Sequence, residues 1–252
     1  MNTQIVSLIA PAKLTISLKV TGVRPDGFHL IDAEMVTLDL ADELVVDPSR
    51  TGIEIKGEFA DDLASSTNTN ENLVSRALQL AGRKAHVTVT KNIPSGGGLG
   101  GGSADAAAIL RWAGFTDLVA AAKLGADIAF CMIGGRARVS GIGEVVNPLK
   151  KVVREITLVV PPFRVSTPAV YRAFDQLTDF GKTPIKHTGV NDLELAAIKV
   201  EPRLAIWKQK ISQAAGIEPV LAGSGSTWWL DGQFENLAEQ LTDATVVCTQ
   251  TN

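Results

Sequence analysis

Six of the seven residues from Gly96 to Gly102 are glycine, with Leu99 the exception, inside the run Ile93-Pro94-Ser95-Gly96-Gly97-Gly98-Leu99-Gly100-Gly101-Gly102-Ser103-Ala104-Asp105. Glycine loses more backbone entropy on folding than any other residue, so such a run is costly inside a helix or strand. Its value lies in left-handed turns and in letting backbone N–H groups approach a ligand closely. The alanine-rich stretch that follows, 103–113, stops at Gly114 and predicts a helix. A helix that starts directly after the loop brings unpaired N–H groups and a positive dipole end to it, which makes an anion site. A flexible linker does not fit, because strand and helix signals press in on both sides without a serine-rich spacer. Gly96, Gly98 and Gly101 satisfy GxGxxG, but a run this rich in glycine does so trivially and no βαβ unit surrounds it. The Walker A pattern is missing its lysine before Ser103. Phosphate binding therefore leads.

The rest of the chain supplies an α+β setting for that loop. Leu14, Ile16, Leu18 and Val20 alternate with Thr15, Ser17 and Lys19, as a half-buried strand does. Asp26-Gly27 marks a turn, and strands are expected at 31–38, 43–46, 52–56 and 85–90. Between the last two, a helix is expected from about Glu71, with Asn70 as N-cap and Leu73, Val74, Ala77 and Leu78 as its apolar stripe. Further strands are expected at 136–140 and 156–160, and Pro161-Pro162 is the candidate boundary between lobes 1–160 and 161–252. Beyond it the pattern predicts helices at 168–177, 192–198, 202–214 and 235–241, a hairpin turn at 223–226 and a last strand reaching Cys248.

Composition bounds the partners. A formal net charge of −3 speaks against a general nucleic-acid surface while allowing a local phosphate site. Cys131 and Cys248 form no CxxC pair, so two reduced thiols are expected rather than zinc or a disulfide. The apolar stretch 118–133 is broken by Lys123 and Asp127, too short and too charged to span a bilayer, and no basic leader opens the chain. The expectation is a soluble cytoplasmic protein acting on a small molecule.

Outside the loop each signal is ambiguous on its own. Lys13 opens a strand and, taken alone, reads as a solvated strand-end charge rather than a catalytic group. Asp127 stands among apolar neighbours, where an ionised carboxylate must be paired or serve as a helix cap. A Lys13–Asp127 pair would satisfy both groups. Phe28 and His29 after the turn, and Tyr171 on an apolar helix face, are packing residues unless a pocket gathers them. Gly223-Ser224-Gly225-Ser226-Thr227 is a second glycine loop that could close over phosphates.

Together, Ala10-Pro11-Ala12-Lys13-Leu14, Arg24-Pro25-Asp26-Gly27-Phe28-His29, Leu38-Asp39-Leu40-Ala41-Asp42-Glu43, the glycine loop, Gly125-Ala126-Asp127, Val165-Ser166-Thr167-Pro168-Ala169-Val170-Tyr171, Asn191-Asp192-Leu193-Glu194 and Gly223-Ser224-Gly225-Ser226 span almost the whole chain. They resemble the 4-diphosphocytidyl-2-C-methyl-D-erythritol kinases, of the galactokinase/homoserine kinase/mevalonate kinase/phosphomevalonate kinase (GHMP) superfamily. The resemblance implies a two-lobed GHMP fold, with an N-terminal lobe like ribosomal protein S5 domain 2 and a ferredoxin-like C-terminal lobe. It implies ATP and Mg2+ as cofactors, a cytidine diphosphate substrate and a place in isoprenoid precursor synthesis. Lys13 and Asp127 then take the catalytic positions, and Thr15, Phe28, His29, Thr167 and Tyr171 the substrate's. Asn72, Lys91, Pro94, Gly96, Gly97, Gly98, Leu99, Gly100, Gly101, Gly102, Ser103 and Asp105 take the nucleotide's, with Ser103 a candidate toward the metal. Thr15 and Asp105 stand where the family usually has asparagine, and Ala129 where it has proline. Another GHMP kinase, of homoserine or mevalonate type, and a nucleotide-binding homologue with impaired catalysis are the alternatives.

Overall fold

A computed structural model describes residues 4–60, 72–178, 187 and 189–252. Two mixed layers of helix and sheet carry the site. In the larger sheet β1 (Val6–Val23) pairs antiparallel with β2 (His29–Asp47). The free edge of β2 is shared by two partners. Its first half pairs with β5 (Arg136–Gly141), which pairs with β6 (Val145–Pro148). Its second half pairs with β4 (His86–Thr90), which pairs in parallel with β3 (Gly52–Lys56). The smaller sheet runs β10 (Thr245–Gln250), β7 (Glu155–Val160), β9 (Trp228–Asp231), β8 (Val220–Leu221). The sheets and helices match the expected α+β class. β7 already belongs to the smaller sheet, so the chain changes sheets within 149–154, and Pro161-Pro162 ends β7.

Several sequence expectations merge or shift. The strands expected at 31–38 and 43–46 are one strand, β2. Its register against β1 slips between Pro11↔Ala41 and Lys13↔Thr37, so residues 38–40 bulge opposite Ala12. A bulge re-aims side chains and bends its strand, and this one stands beside Lys13. The expected N-cap, Asn70, lies outside the described residues. α1 (Leu73–Leu80) is capped by Asn72, whose Oδ1 accepts from the Val74 N–H at 2.8 Å. Such a cap contributes about 1 kcal/mol by satisfying a donor the helix leaves open. α3 (Leu118–Leu124) and α4 (Ile128–Ile133) were not expected, nor was β6. α2 (Gly101–Trp112) begins inside the glycine run rather than at Ser103. α5 (Thr167–Thr178), α6 (Glu194–Val200), α7 (Arg203–Ala215) and α8 (Leu237–Gln240) lie close to the expected helices.

Packing brings the two sheets to one junction. Leu14, Val36, Leu38, Ile93 and Leu99 from the larger layer are buried with Ile156, Leu158, Val160, Ala222 and Trp229 from the smaller. Burying such side chains is worth roughly 1.5–3 kcal/mol each, so this seam is a principal tie between the lobes. Polar bonds flank it. The Leu18 N–H donates to Val190 O and the Asp192 N–H to Leu18 O, each at 3.0 Å, and the Val20 N–H donates to Asp192 Oδ2 at 3.0 Å. At the β2 bulge, Asp39 accepts from Thr249 Oγ1 and from the Gln250 N–H.

Candidate active site

The seam leaves one face of β1 turned toward the glycine loop. Lys13 N–H donates to Leu99 O at 3.0 Å, fixing the strand to the loop. The Lys13 ammonium stands 3.2 Å from Asp127 Oδ2 and donates to Thr15 Oγ1 at 3.2 Å. Lys13 is buried, while the Asp127 side chain keeps 29% of its surface open. Asp127 occupies the N-cap position of α4 but has helical angles and makes no side-chain cap bond. Its carboxylate is therefore turned to Lys13, and the helix-cap alternative does not hold. Negative charge here is felt nearby: burial first, and Asp127 second, raise the Tyr171 phenol and push the Cys131 thiol up to about 12. Cys131 is thus a neutral thiol, as a buried cysteine should be.

A cavity of about 530 Å³ opens over this pair. Lys13, Thr15, Asp127, Gly98, Phe28, His29, Thr167 and Tyr171 all line it, so the residues expected for catalysis and for substrate meet in one space. The His29 ring lies 4.6 Å from that of Tyr171, tilted by 34°, and His29 Nε2 is 2.7 Å from Asp175 Oδ1. Phe28 stands 59% exposed at the cavity wall. Thr167 Oγ1 and Ser224 Oγ are 2.7 Å apart, joining α5 to the second glycine loop across the cavity wall. Gly223, Ser224 and Asp175 were not singled out for this site. Asp175 had a signal available: it follows Tyr171 by one helical turn and shares its face.

The glycine loop is wedged between the lobes. Gly100 has φ +71°, and a Cβ there would stand 2.7 Å from Lys13 Cγ. Gly98 has φ +81°, and its Cβ would stand 2.8 Å from Ala222 O of the second loop. Only glycine meets both the left-handed angles and the close approach. α2 starts from Gly100 without a side-chain cap, which leaves its first N–H groups without a capping side chain.

The structure gives the other residues expected at the nucleotide contacts within the protein. Leu99 and Pro94 are buried, Leu99 within the interlobe seam. Asn72 serves as the cap of α1. Lys91 and Asp105 are buried beneath the loop, Lys91 Nζ donating to Asp42 Oδ2 and, at 2.7 Å, to Asp105 Oδ2. Burial, partly opposed by Lys91, raises the Asp105 carboxyl to about 7. Among the described residues no three His, Cys, Asp or Glu side chains converge on a metal position. Ser103 stands on the first turn of α2.

Comparison with known proteins places this geometry. The model of the GHMP kinases N terminal domain matches residues 72–135, from the α1 cap through the glycine loop to α4. A 4-diphosphocytidyl-2-C-methyl-D-erythritol kinase of Paracoccus denitrificans is 38% identical, covering 91% of this chain and 87% of its own. The chain belongs to the 4-diphosphocytidyl-2-C-methyl-D-erythritol kinase family. A relative of the same name from Ruegeria pomeroyi is 36% identical over 88% of this chain and 87% of its own. The crystal structure of a 4-(cytidine 5'-diphospho)-2C-methyl-D-erythritol kinase superposes with TM-score 0.75 at 29% identity, covering 98% of this chain and 99% of that one. A mevalonate kinase of L. major, at 12% identity and TM-score 0.71, shares the fold. No helix among the described residues is long and apolar enough to cross a membrane.

Proposed function

We propose that this protein transfers the γ-phosphoryl group of ATP to the 2-hydroxyl of 4-diphosphocytidyl-2-C-methyl-D-erythritol, as a cytoplasmic step toward isoprenoid precursors. The observation that carries the proposal is the Lys13–Asp127 pair, 3.2 Å apart, in a cavity shared by the glycine loop and the Phe28–His29–Tyr171 cluster. Family membership supplies the substrate class; the cavity supplies places for its parts.

Asp127 takes the proton of the substrate hydroxyl as that oxygen attacks the γ-phosphorus, and the bond to the β-phosphate oxygen breaks to release ADP. Lys13 holds the carboxylate in place and offers its positive charge to the developing alkoxide. Thr15 fixes the ammonium through its hydroxyl. The loop N–H groups and the start of α2 hold the β- and γ-phosphates, where negative charge accumulates in the transition state. Mg2+ would supply further charge neutralisation at the phosphates, with the Ser103 hydroxyl the candidate side chain to hold it. Tyr171 and Phe28 stack on the cytosine, and His29, held by Asp175, reads its edge.

ADP release measured with the cytidine substrate, beside homoserine and mevalonate, tests the proposal. Turnover with the cytidine substrate alone is the expected result. Preference for homoserine or mevalonate would restrict the assignment to the GHMP superfamily.

A further inference from the structure

Two stems lead into and out of the glycine loop, and one buried carboxylate is bonded to the first and linked to the second through Lys91. Asp42, on β2 and fully buried, accepts the Asn92 N–H at 2.6 Å and the Ile93 N–H at 2.8 Å through Oδ1. Its other oxygen accepts from Lys91 Nζ. Lys91 Nζ also donates to Asp105 Oδ2 at 2.7 Å, on the first turns of α2. The entry stem is further sewn down: Asn92 Nδ2 donates to Ala41 O at 3.0 Å, and Lys91 N–H to Lys56 O at 2.7 Å. On the exit side, a Cβ on Gly101 would stand 3.3 Å from Lys91 Nζ and 3.4 Å from Asp42 Oδ2. The backbone at the start of α2 thus rests directly on the ion pair.

Stability alone is a poor reason for this arrangement. Burying ions costs desolvation that their attraction only partly offsets, and well-packed apolar residues often do as well. One cation here serves two carboxylates, and Asp105 Oδ1 has no hydrogen-bond partner among the described residues. What the network provides is geometry. Charge-assisted bonds from the one Lys91 cation to Asp42 and Asp105 fix the distance between the two stems, and so the curvature of the backbone between them.

We propose that Asp42 is the positioning residue of the phosphate loop, bracing its two stems through Lys91 and Asp105 so that the loop N–H groups are preorganised for a polyphosphate. The proposal rests on ATP phosphates seating on this loop. Asp42 and Lys91 touch no ligand in this scheme; they act through the backbone they hold.

Two variants cut the brace at different points while leaving each buried charge a partner. Asp42→Asn retains an acceptor for the Asn92 and Ile93 amides but no longer accepts from Lys91, which keeps Asp105. Asp105→Leu releases α2 and leaves the Lys91–Asp42 pair. ATP and 4-diphosphocytidyl-2-C-methyl-D-erythritol binding would be measured by calorimetry on each, with hydrogen–deuterium exchange followed across 92–103 and across β1. Each variant is expected to weaken ATP binding by about tenfold or more, the usual effect of losing a bond to a charged group. Substrate binding should hold, and exchange should accelerate in 92–103 but not in β1. Variants that bind ATP as the parent does, with unchanged exchange in 92–103, would overturn the brace. So would equal loss of both ligands, or failure of both variants to fold, since each marks an ordinary core network. A parent protein that binds the cytidine substrate but not ATP would instead refute the phosphate-loop assignment, and the brace with it.

Discussion

Gly100 offers the sharpest test of the loop, because its two penalties can be separated. Gly100→Ala must hold a side chain at φ +71°, a strain of roughly 1–2 kcal/mol for an L-residue. Its Cβ must also displace Lys13, whose Cγ and Cε would lie 2.7 and 3.2 Å away. Gly114, just past the end of α2, has a nearly identical φ of +73° with nothing within 4 Å of a Cβ. Gly114→Ala therefore carries the strain without the collision. At about 2–4 °C per kcal/mol for a chain of this size, both variants should melt a few degrees below the parent. They should differ at the site. Gly114→Ala is expected to keep parental ATP affinity and turnover. Gly100→Ala should lose at least about tenfold in ATP affinity, the equivalent of 1.4 kcal/mol, and more in turnover because Lys13 moves from Asp127. Melting curves, ATP calorimetry and ADP release on the two preparations decide. Parental ATP affinity in a folded Gly100→Ala protein would refute the seating of phosphates on this loop.

Three further outcomes follow from the same geometry. Asp127→Asn keeps the shape of the acid and removes the base, so single-turnover rates should fall by about 10²- to 10⁴-fold while both ligands bind normally; a near-parental rate would return Asp127 to a structural role. Tyr171→Ala should weaken the cytidine substrate by about 10- to 100-fold, the worth of one base–aromatic stack, and leave ATP affinity alone. Asp105 has its carboxyl raised from 3.8 to about 7, so the folded protein binds that proton more tightly than the unfolded chain does. Its stabilising contribution is present below the unfolded value and is lost as pH rises through the folded one. Denaturant unfolding at pH 5 and pH 8 should show the parent losing stability relative to Asp105→Asn across that interval; parallel curves would mean that Asp105 does not titrate there.

Legibility in the sequence tracks how far each signal depends on residues close by in the chain. The alternation of Leu14, Ile16, Leu18 and Val20 and the glycine run with its helix are local patterns, and both hold. α4 is six residues, all apolar, so it shows no polar face for periodicity to detect. β6 is a short edge strand, defined by its pairing with β5 rather than by its own residues. Asp127 read equally as a cap or an acid because a single carboxylate before a helix looks the same in either role. Only the arrival of Lys13 from β1 separates them. Lys91 and Asp105 show the converse: only the resemblance implied a place at the nucleotide for both, and their network beneath the loop depends on Asp42 of β2, distant in the chain.

The least legible part is what makes the cavity one site rather than two half-sites. Asn191 Nδ2 donates to Leu221 O at 2.9 Å and Gly223 O at 2.7 Å, while its neighbours bond to Leu18 and Val20 of β1. The second glycine loop is thereby fixed to the strand that carries Lys13 and Thr15; a Cβ on Gly223 would come within 3.7 Å of Thr15 Oγ1. On the other flank, the Asn252 N–H donates to Thr37 O at 2.8 Å, and Thr37 is the residue opposite Lys13 in the β1–β2 register. Lys13 is thus held between two attachments from the smaller layer, on strands whose own sequence carries neither. Preorganising a phosphoryl-transfer site requires its charges to be fixed before substrate arrives, since reorganisation at the moment of reaction adds to the barrier. Attachments from both sides of β1 meet that requirement, and they explain why a surface lysine in the sequence becomes a buried one in the fold.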